Sequence, residues 1–442
     1  MDKKVIIKLA LAIVLGLVVY LYDFGLPANA QTVLTIAVFA MVLWLTEVVP
    51  LHVTSLIVAL LLVVFAKLPE KDVFAPFFDP VIVLLLGGFV LAVALQKHGL
   101  DKKLAYGFLE RIGSAPKKFM LGIMMFTAFI SFWVSNTATT ATILPIAIAA
   151  LAASKISKGS KYAKALILGV AYAATLGGMG TIIGSTPNVI VASFLAKEGI
   201  KINFVSWMYY AIPFTIIMIP VSWFVLVKMF KPEVPNLKVK KYDSKYNRSQ
   251  KLVLIIFTIT VILWMTDRYH GISINSISLV PIVLLYFCRL LSVEDFSKVE
   301  WESLVLFGGG LSLGAAIHST GLDLIMANGL KSVLGGMPVF AIFLCVAAFG
   351  MILTAFLSNT VAASLTIPIM LPLSQSLGLN IKSLALLVAL GVSVDLILPI
   401  GTPPGTMAYA TGYIRIWDMV KSGVVISAIG LVILVGLALL YW

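Results

Sequence analysis

Long apolar runs separated by short polar connections fill almost the whole chain. Runs of about the length that crosses a bilayer as a helix recur from end to end, at 5–22, 32–48, 50–66, 81–97, 205–228, 252–267, 272–290, 303–318 and 416–441. Between them lie two longer apolar units, 119–153 and 339–377, and two glycine-rich runs, 162–196 and 383–412. The pattern predicts an all-α polytopic membrane protein.

The composition excludes an ordinary soluble protein. Hydrophobic residues make up 61% of the 442 residues and charged residues 12%, and the mean hydropathy is +1.07. The net charge of +13 does not indicate a nucleic-acid partner, because the basic residues lie in short connections without aromatic residues between them. Cys288 and Cys345 lie within apolar runs, which is typical of packed thiols and not of a disulfide or a metal centre.

A polar triplet that occurs twice indicates an internal repeat. Ser135-Asn136-Thr137 interrupts the first long apolar unit, and Ser358-Asn359-Thr360 interrupts the second, 223 residues later. The glycine-rich runs also match, since Ile183-Gly184-Ser185 corresponds to Ile400-Gly401-Thr402. Chance alignment of apolar sequence rarely matches polar residues and glycine in one consistent order, so the fold should contain two related halves.

The repeats divide the chain into four parts. We expect a first transmembrane helix in 1–31, a first repeat in 32–230, a cytoplasmic linker in 231–251 and a second repeat in 252–442. The segment Ala28-Asn29-Ala30 also fits a signal-peptide cleavage site, but the apolar run before it is long for that role and favours a retained helix.

The distribution of lysine and arginine predicts the topology. Basic residues flank the first triplet unit on both sides, whereas only Lys331 precedes the second unit and Lys382 follows it. By the positive-inside bias, the first unit enters and returns from the cytoplasm and the second from outside, each as a re-entrant hairpin. Five crossings per repeat then make the two repeats inverted. With the first helix there are eleven transmembrane helices, a cytoplasmic N-terminus and an extracellular C-terminus.

The triplets have the chemistry of an anion site. Ser, Asn and Thr are preferred N-cap residues, so each triplet should begin a half-helix whose free backbone N–H groups point toward the middle of the bilayer. Two such helix ends facing one cavity suit a doubly charged anion such as a dicarboxylate. The alternative is that these polar residues only join helices by interhelical hydrogen bonds.

The glycine-rich runs predict cation sites beside the triplets. The run 177–188 contains glycines and a proline that interrupt a helix and free its carbonyl groups. Together with Ser131, Ser135 and Asn136 these carbonyls form an uncharged oxygen cage that suits sodium. The counterpart is the run around Gly401 with Thr354 and Asn359. Tight packing around small residues is the alternative explanation.

These motifs resemble the divalent-anion:sodium symporters, the DASS family of the ion-transporter superfamily, over essentially the whole chain. The resemblance implies a homodimer with a scaffold domain and an elevator-type transport domain that carries both hairpins. It implies two sodium sites, formed by Ser131, Ser135, Asn136 and Gly184, and by Thr354, Ser358, Asn359 and Gly401. It further implies substrate contacts from Asn136, Thr137, Ser185, Ser358, Asn359, Thr360, Thr402 and Pro403.

Two features depart from the family pattern. The family usually has Pro-Pro-Asn in both broken helices, whereas this chain has Thr186-Pro187-Asn188 in the first and Pro403-Pro404-Gly405 in the second. Asp395 lies in an apolar run where the first repeat has Gly178. An intramembrane carboxylate is a candidate coupling residue, as a proton or cation ligand. The alternative is a carboxylate that is hydrogen-bonded within the transport domain or close to an aqueous cavity.

The expected function is sodium-coupled symport of succinate-like di- or tricarboxylate dianions across the cell membrane, with sodium as the coupling ion and no enzymatic activity. Two alternatives within transport remain open, a proton-coupled carrier and an obligate exchanger of dicarboxylate or sulfate. From another class, the chain could be a membrane receptor that binds such anions without transporting them.

Overall fold

The structure is a computed structural model that describes residues 3–231, 236–237 and 245–442. Within these residues all regular structure is helical and no strand occurs, as the apolar pattern predicts. The helices before the linker are α1 Lys3–Leu21, α2 Ala28–Thr46, α3 Leu51–Val64, α4 Glu70–Phe74, α5 Pro80–Lys97, α6 Leu100–Ile112, α7 Pro116–Ser131, α8 Asn136–Ala153, α9 Lys161–Gly178, α10 Thr186–Lys197 and α11 Phe204–Phe230.

The second half has a closely related order of helices. They are α12 Arg248–Met265, α13 Asp267–His270, α14 Ile274–Ile277, α15 Leu279–Phe287, α16 Val293–Phe296, α17 Trp301–Ser319, α18 Leu322–Leu334, α19 Val339–Phe356, α20 Asn359–Ser376, α21 Ile381–Gly391, α22 Pro403–Ala410 and α23 Ile416–Leu440. Short 3₁₀ helices occur at Ala75–Phe78, Ile182–Gly184 and Pro399–Gly401. The order of elements in α2–α11 therefore returns in α12–α23.

The predicted linker 231–251 falls only partly within the described residues, because 232–235 and 238–244 lie outside them. Helix α12 begins at Arg248, inside the range predicted as linker, where Asn247 caps it by accepting from the Gln250 N–H. The preference of Asn for helix starts explains why the helix begins before its apolar run.

Eight helices in the described residues are long and apolar enough to cross a membrane, or nine if the α17–α18 pair, bent by 77°, counts as one. Three shorter apolar helices occur at Leu51–Val64, Ile274–Phe287 and Ile381–Gly391. The count of eleven crossings and the opposite orientation of the two repeats stay predictions.

Helix α9 lies at the centre of the first half. All of its residues from Tyr162 to Gly178 are buried except Lys164, and it packs against α7, α8, α11 and α22. It approaches the backbone of α7 closely at Gly177, where a methyl group would lie 2.5 Å from both Cα and O of Ala128. This close backbone contact fixes the end of α9, and therefore the start of the helix break, against the first hairpin.

Candidate substrate and cation site

Each polar triplet begins a helix at the tip of a hairpin, as predicted. Helices α7 and α8 contact each other, as do α19 and α20, and each pair is broken at its triplet. Ser135 Oγ accepts a hydrogen bond from the Ala138 N–H (3.2 Å), and Ser358 Oγ accepts one from the Val361 N–H (3.4 Å). The N-cap role of both serines is therefore confirmed, and the free N–H groups of α8 and α20 lie at the two tips.

Both glycine-rich runs are broken helices. Helix α9 ends at Gly178 and α10 begins at Thr186, whereas α21 ends at Gly391 and α22 begins at Pro403. Asn188 secures the first break, since its Nδ2 donates to the carbonyls of Gly178 (2.9 Å) and Thr181 (2.7 Å). Its side chain therefore satisfies the backbone of the break.

The second break is secured differently because Gly405 replaces the asparagine. Thr402 Oγ1 accepts from the Gly405 N–H (3.3 Å), and Thr406 Oγ1 donates to the Pro399 carbonyl (2.7 Å). A methyl group on Gly405 would lie 2.8 Å from Met419 Cε and 3.1 Å from Pro399 O, which leaves little room for an asparagine. Hydroxyl groups thus perform here the capping that Asn188 performs in the first break.

The tips and breaks meet around one cavity of about 870 Å³. All eight predicted substrate residues line it, and three of these are also predicted cation ligands; with three further cation ligands the set is Asn136, Thr137, Ser185, Ser358, Asn359, Thr360, Thr402, Pro403, Ser135, Gly184 and Gly401. The two halves also touch directly, because Thr186 Oγ1 and Thr360 Oγ1 share a hydrogen bond of 2.5 Å. Residues from halves of the chain more than 170 positions apart therefore form a single polar site.

Behind the first tip, four polar groups converge. The amide atom of Asn136 that points inward lies 2.7 Å from Ser131 Oγ, 2.9 Å from Ala174 O and 3.2 Å from Gly184 O. If this atom is nitrogen, it donates to these acceptors; if it is oxygen, four oxygen atoms form a cage that suits a hard monovalent cation. Ser131 is fully buried and also donates to Ala174 O (2.7 Å).

The second tip repeats this arrangement. The inward amide atom of Asn359 lies 2.6 Å from Thr354 Oγ1 and 3.2 Å from both Gly401 O and Val392 O. Thr354 is fully buried, like Ser131. The two clusters are thus built from the same kinds of groups in the two halves.

The hydroxyls of Ser135 and Ser358, which are predicted cation ligands, are engaged in capping. Ser135 Oγ additionally donates to Glu300 Oε1 at 2.5 Å. The assignment of these two serines to cation binding stays a prediction.

Sequence reasoning missed Glu300 and Thr186 as cavity residues. Glu300 immediately precedes α17 and meets the first hairpin tip across 165 residues of sequence. Its one sequence signal is its position as an acid at the start of an apolar run, and Thr186 could have been found as the neighbour of Ser185 in the break. No lysine or arginine of the described residues lines the cavity, whereas Glu300 and Glu302 both do.

A multi-helix membrane fold in which two hairpin tips and two broken helices surround one polar cavity defines a membrane transporter. The family model described as the sodium:sulfate symporter transmembrane region matches residues 3–442. The chain therefore belongs to the sodium:sulfate symporter family, which confirms the resemblance to divalent-anion:sodium symporters. Its family consists of transporters and not of enzymes.

Similar proteins span nearly the same length. The sodium-dependent dicarboxylate transporter SdcS of Staphylococcus saprophyticus is 30% identical over 460 residues, covering 96% of this chain and 88% of that protein. An uncharacterized transporter of Haemophilus influenzae is 33% identical over 430 residues, covering 94% and 92%.

Two solved structures share the fold at low sequence identity. The MtrF structure of Neisseria gonorrhoeae matches with a TM-score of 0.62 and 15% identity, covering 86% of this chain and 84% of MtrF. The YdaH transporter of Alcanivorax borkumensis matches with a TM-score of 0.54 and 14% identity, covering 83% and 86%. Both support the helical architecture alone.

Proposed function

We propose that this chain is a sodium-coupled symporter that carries di- or tricarboxylate dianions into the cell. The observation that carries the proposal is the single cavity lined by both triplets and both helix breaks. The two helix N-termini supply partial positive charge to an anion. The dicarboxylate substrate named for the SdcS relative, 30% identical, supports the same class of substrate.

The charge of the cavity supports the proposed sodium coupling. Neither lysine nor arginine lines it in the described part of the chain, and two glutamates do, so a dianion there needs countercharge from elsewhere. Cations bound in the clusters behind Asn136 and Asn359 would supply that charge within a few ångströms of the tips. Each net positive charge that moves inward with the substrate gains about 2.3 kcal/mol per 100 mV of membrane potential.

The proposed transport cycle is of the elevator type in a homodimer. The hairpins and broken helices would form the moving transport domain, and the helices around them the scaffold. Residues of Pro50–His52 and Ser297–Ser303 line the cavity, and in the predicted topology both segments lie at the cytoplasmic side, so this conformation would be the inward-facing state. The contact between Glu300 and Ser135 would then join scaffold and hairpin in that state.

Reconstituted protein tests the proposal. Uptake of labelled succinate into proteoliposomes is measured with an inward sodium gradient, with potassium in its place, and with a pH gradient alone. Unlabelled succinate, citrate and sulfate are added as competitors in parallel, sulfate because the family description names it. We expect net, sodium-dependent uptake that a dicarboxylate inhibits more strongly than sulfate. Counterflow without net uptake would identify an exchanger, uptake driven by pH alone a proton-coupled carrier, and binding without flux a receptor.

A further inference from the structure

A buried carboxylate lies beside the second cluster with one oxygen unused. Asp395 is 1% exposed and lies in the irregular segment between α21 and the 3₁₀ helix Pro399–Gly401. Its Oδ1 accepts a hydrogen bond from the Ile397 N–H (3.1 Å), whereas Oδ2 is buried without a hydrogen-bond partner among the described residues. Buried polar atoms in proteins are almost always paired, so this oxygen needs an explanation.

The unused oxygen lies close to Gly401, one of the residues of the cation cluster. A methyl group on Gly401 would lie 2.8 Å from Asp395 Oδ2 and 3.2 Å from Thr354 O. Both Gly401 and Thr354 contribute oxygens to the cluster around Asn359. The carboxylate therefore lies in the helix break beside Gly401 and is not among the residues that line the substrate cavity.

No cationic side chain in the described part of the chain balances this charge. In the described residues no lysine, arginine or histidine forms an ion pair with Asp395. An uncompensated charge in the interior is strongly unfavourable, so this carboxylate either binds a proton or is compensated by a bound cation.

The first repeat has no equivalent carboxylate, and its geometry excludes one. Gly178 lies seven residues before Ser185, as Asp395 lies seven residues before Thr402. A methyl group on Gly178 would lie 2.0 Å from Asn136 Oδ1 and 2.7 Å from Gly184 O. The cluster of Ser131, Ala174 and Gly184 behind Asn136 therefore contains no carboxylate, so the two clusters differ in formal charge; Glu300 bonds Ser135 at the cavity and does not belong to that cluster.

We propose that Asp395 is an anionic ligand of the cation bound in the cluster around Asn359, and that this site therefore binds sodium more tightly than its uncharged counterpart. The inference rests on the proposed cation-coupled symport and deepens it. Because the charge at the second site does not depend on the substrate, sodium should bind there in the absence of any dianion.

The main test measures sodium binding to the purified protein in the absence of substrate. Sodium replaces choline in the buffer, and the readout is the sodium concentration that gives half of the maximal rise in melting temperature. Asp395→Asn keeps the shape of the side chain and an acceptor for the Ile397 N–H but removes the charge. We expect the half-maximal sodium concentration to rise at least about tenfold. In proteoliposomes at saturating sodium, the KM for succinate should change less than threefold.

Asp323→Asn is the matched control. Asp323 is also 1% exposed, but its oxygens are already bonded, by His318 Nδ1 (2.7 Å) and the Leu324 N–H (2.8 Å). The sodium dependence of this variant should equal that of the wild type. Unchanged sodium dependence in Asp395→Asn as well would overturn the inference while leaving symport intact. A wild type that neither binds sodium nor takes up succinate with it would instead reject the proposed function.

If Asp395→Asn does not fold, a second pair of variants tests whether the cluster around Asn359 is the tighter sodium site. Asn136→Ala disables the uncharged cluster and Asn359→Ala the charged one, with Asp395 intact in both. We expect tight sodium binding to persist in Asn136→Ala and to disappear in Asn359→Ala. Loss of tight sodium binding in Asn136→Ala, with tight binding retained in Asn359→Ala, would show that the charge of Asp395 does not strengthen the second site.

Discussion

Asn136 offers the sharpest test of the first cluster, through the substitution Asn136→Ala. The inward amide atom touches Ser131 Oγ, Ala174 O and Gly184 O, and Ala174 O keeps Ser131 as a donor when the amide is removed. If the inward atom is nitrogen, Gly184 O loses its donor, and one buried carbonyl without a partner costs about 1–3 kcal/mol of folding free energy; if it is oxygen, no donor to Gly184 O is lost. A protein of this size should still fold.

Transport should suffer far more than folding. If the amide oxygen is a sodium ligand and the residue also contacts substrate, we expect succinate uptake to fall at least a hundredfold, which corresponds to about 2.8 kcal/mol. The assay is initial uptake in proteoliposomes under a sodium gradient, beside the melting temperature of the same preparation.

Asn203→Ala provides the matched control for that experiment. Asn203 caps α11 by accepting from the Ser206 N–H (2.7 Å) and does not line the cavity. Loss of a cap costs about 1 kcal/mol, so this variant should lose stability and retain uptake. Wild-type uptake with ordinary sodium dependence in Asn136→Ala would refute the assignment of the first cluster.

Three further predictions concern charge and packing. Glu300→Gln removes a negative charge from the cavity and should lower the KM for succinate about threefold; an unchanged KM would contradict an electrostatic role. Burial acts to raise the pKa of Asp295, but hydrogen bonds from two lysines and Ser292 lower it overall. Its stabilisation is therefore present above the unfolded pKa of about 3.9 and is lost only as pH falls through the lowered value. Asp295→Asn should then lower the free energy of unfolding by about 1.5–3 kcal/mol, by the same amount at pH 6 and at pH 8. A loss of stability that changes between these two pH values would be inconsistent with this pairing. Gly177→Ala forces a methyl group against Ala128 and should lower the free energy of unfolding by about 1–3 kcal/mol, seen as a lower melting temperature. Gly107→Ala is the control, because Gly107 is an open helical position, and it should not lower the melting temperature.

The sequence by itself determined the membrane class, the duplicated tips and the helix breaks. Polar triplets and glycine–proline runs can be recognised in the sequence because they interrupt apolar runs, and because N-capping and helix breaking depend on only a few neighbouring residues. For this reason Ser135 and Ser358 cap helices as predicted, and α9 and α21 end at glycines. The family followed from the same motifs.

Only the tertiary structure decided which polar atoms share a space. The approach of Glu300 to Ser135, the bond between Thr186 and Thr360, and the unused oxygen of Asp395 facing Gly401 all depend on how separate helices pack. Side-chain direction at a helix break follows from backbone geometry and neighbouring volume, neither of which a linear pattern contains. The sequence therefore marks Asp395 as unusual, and packing around Gly401 gives it a candidate role.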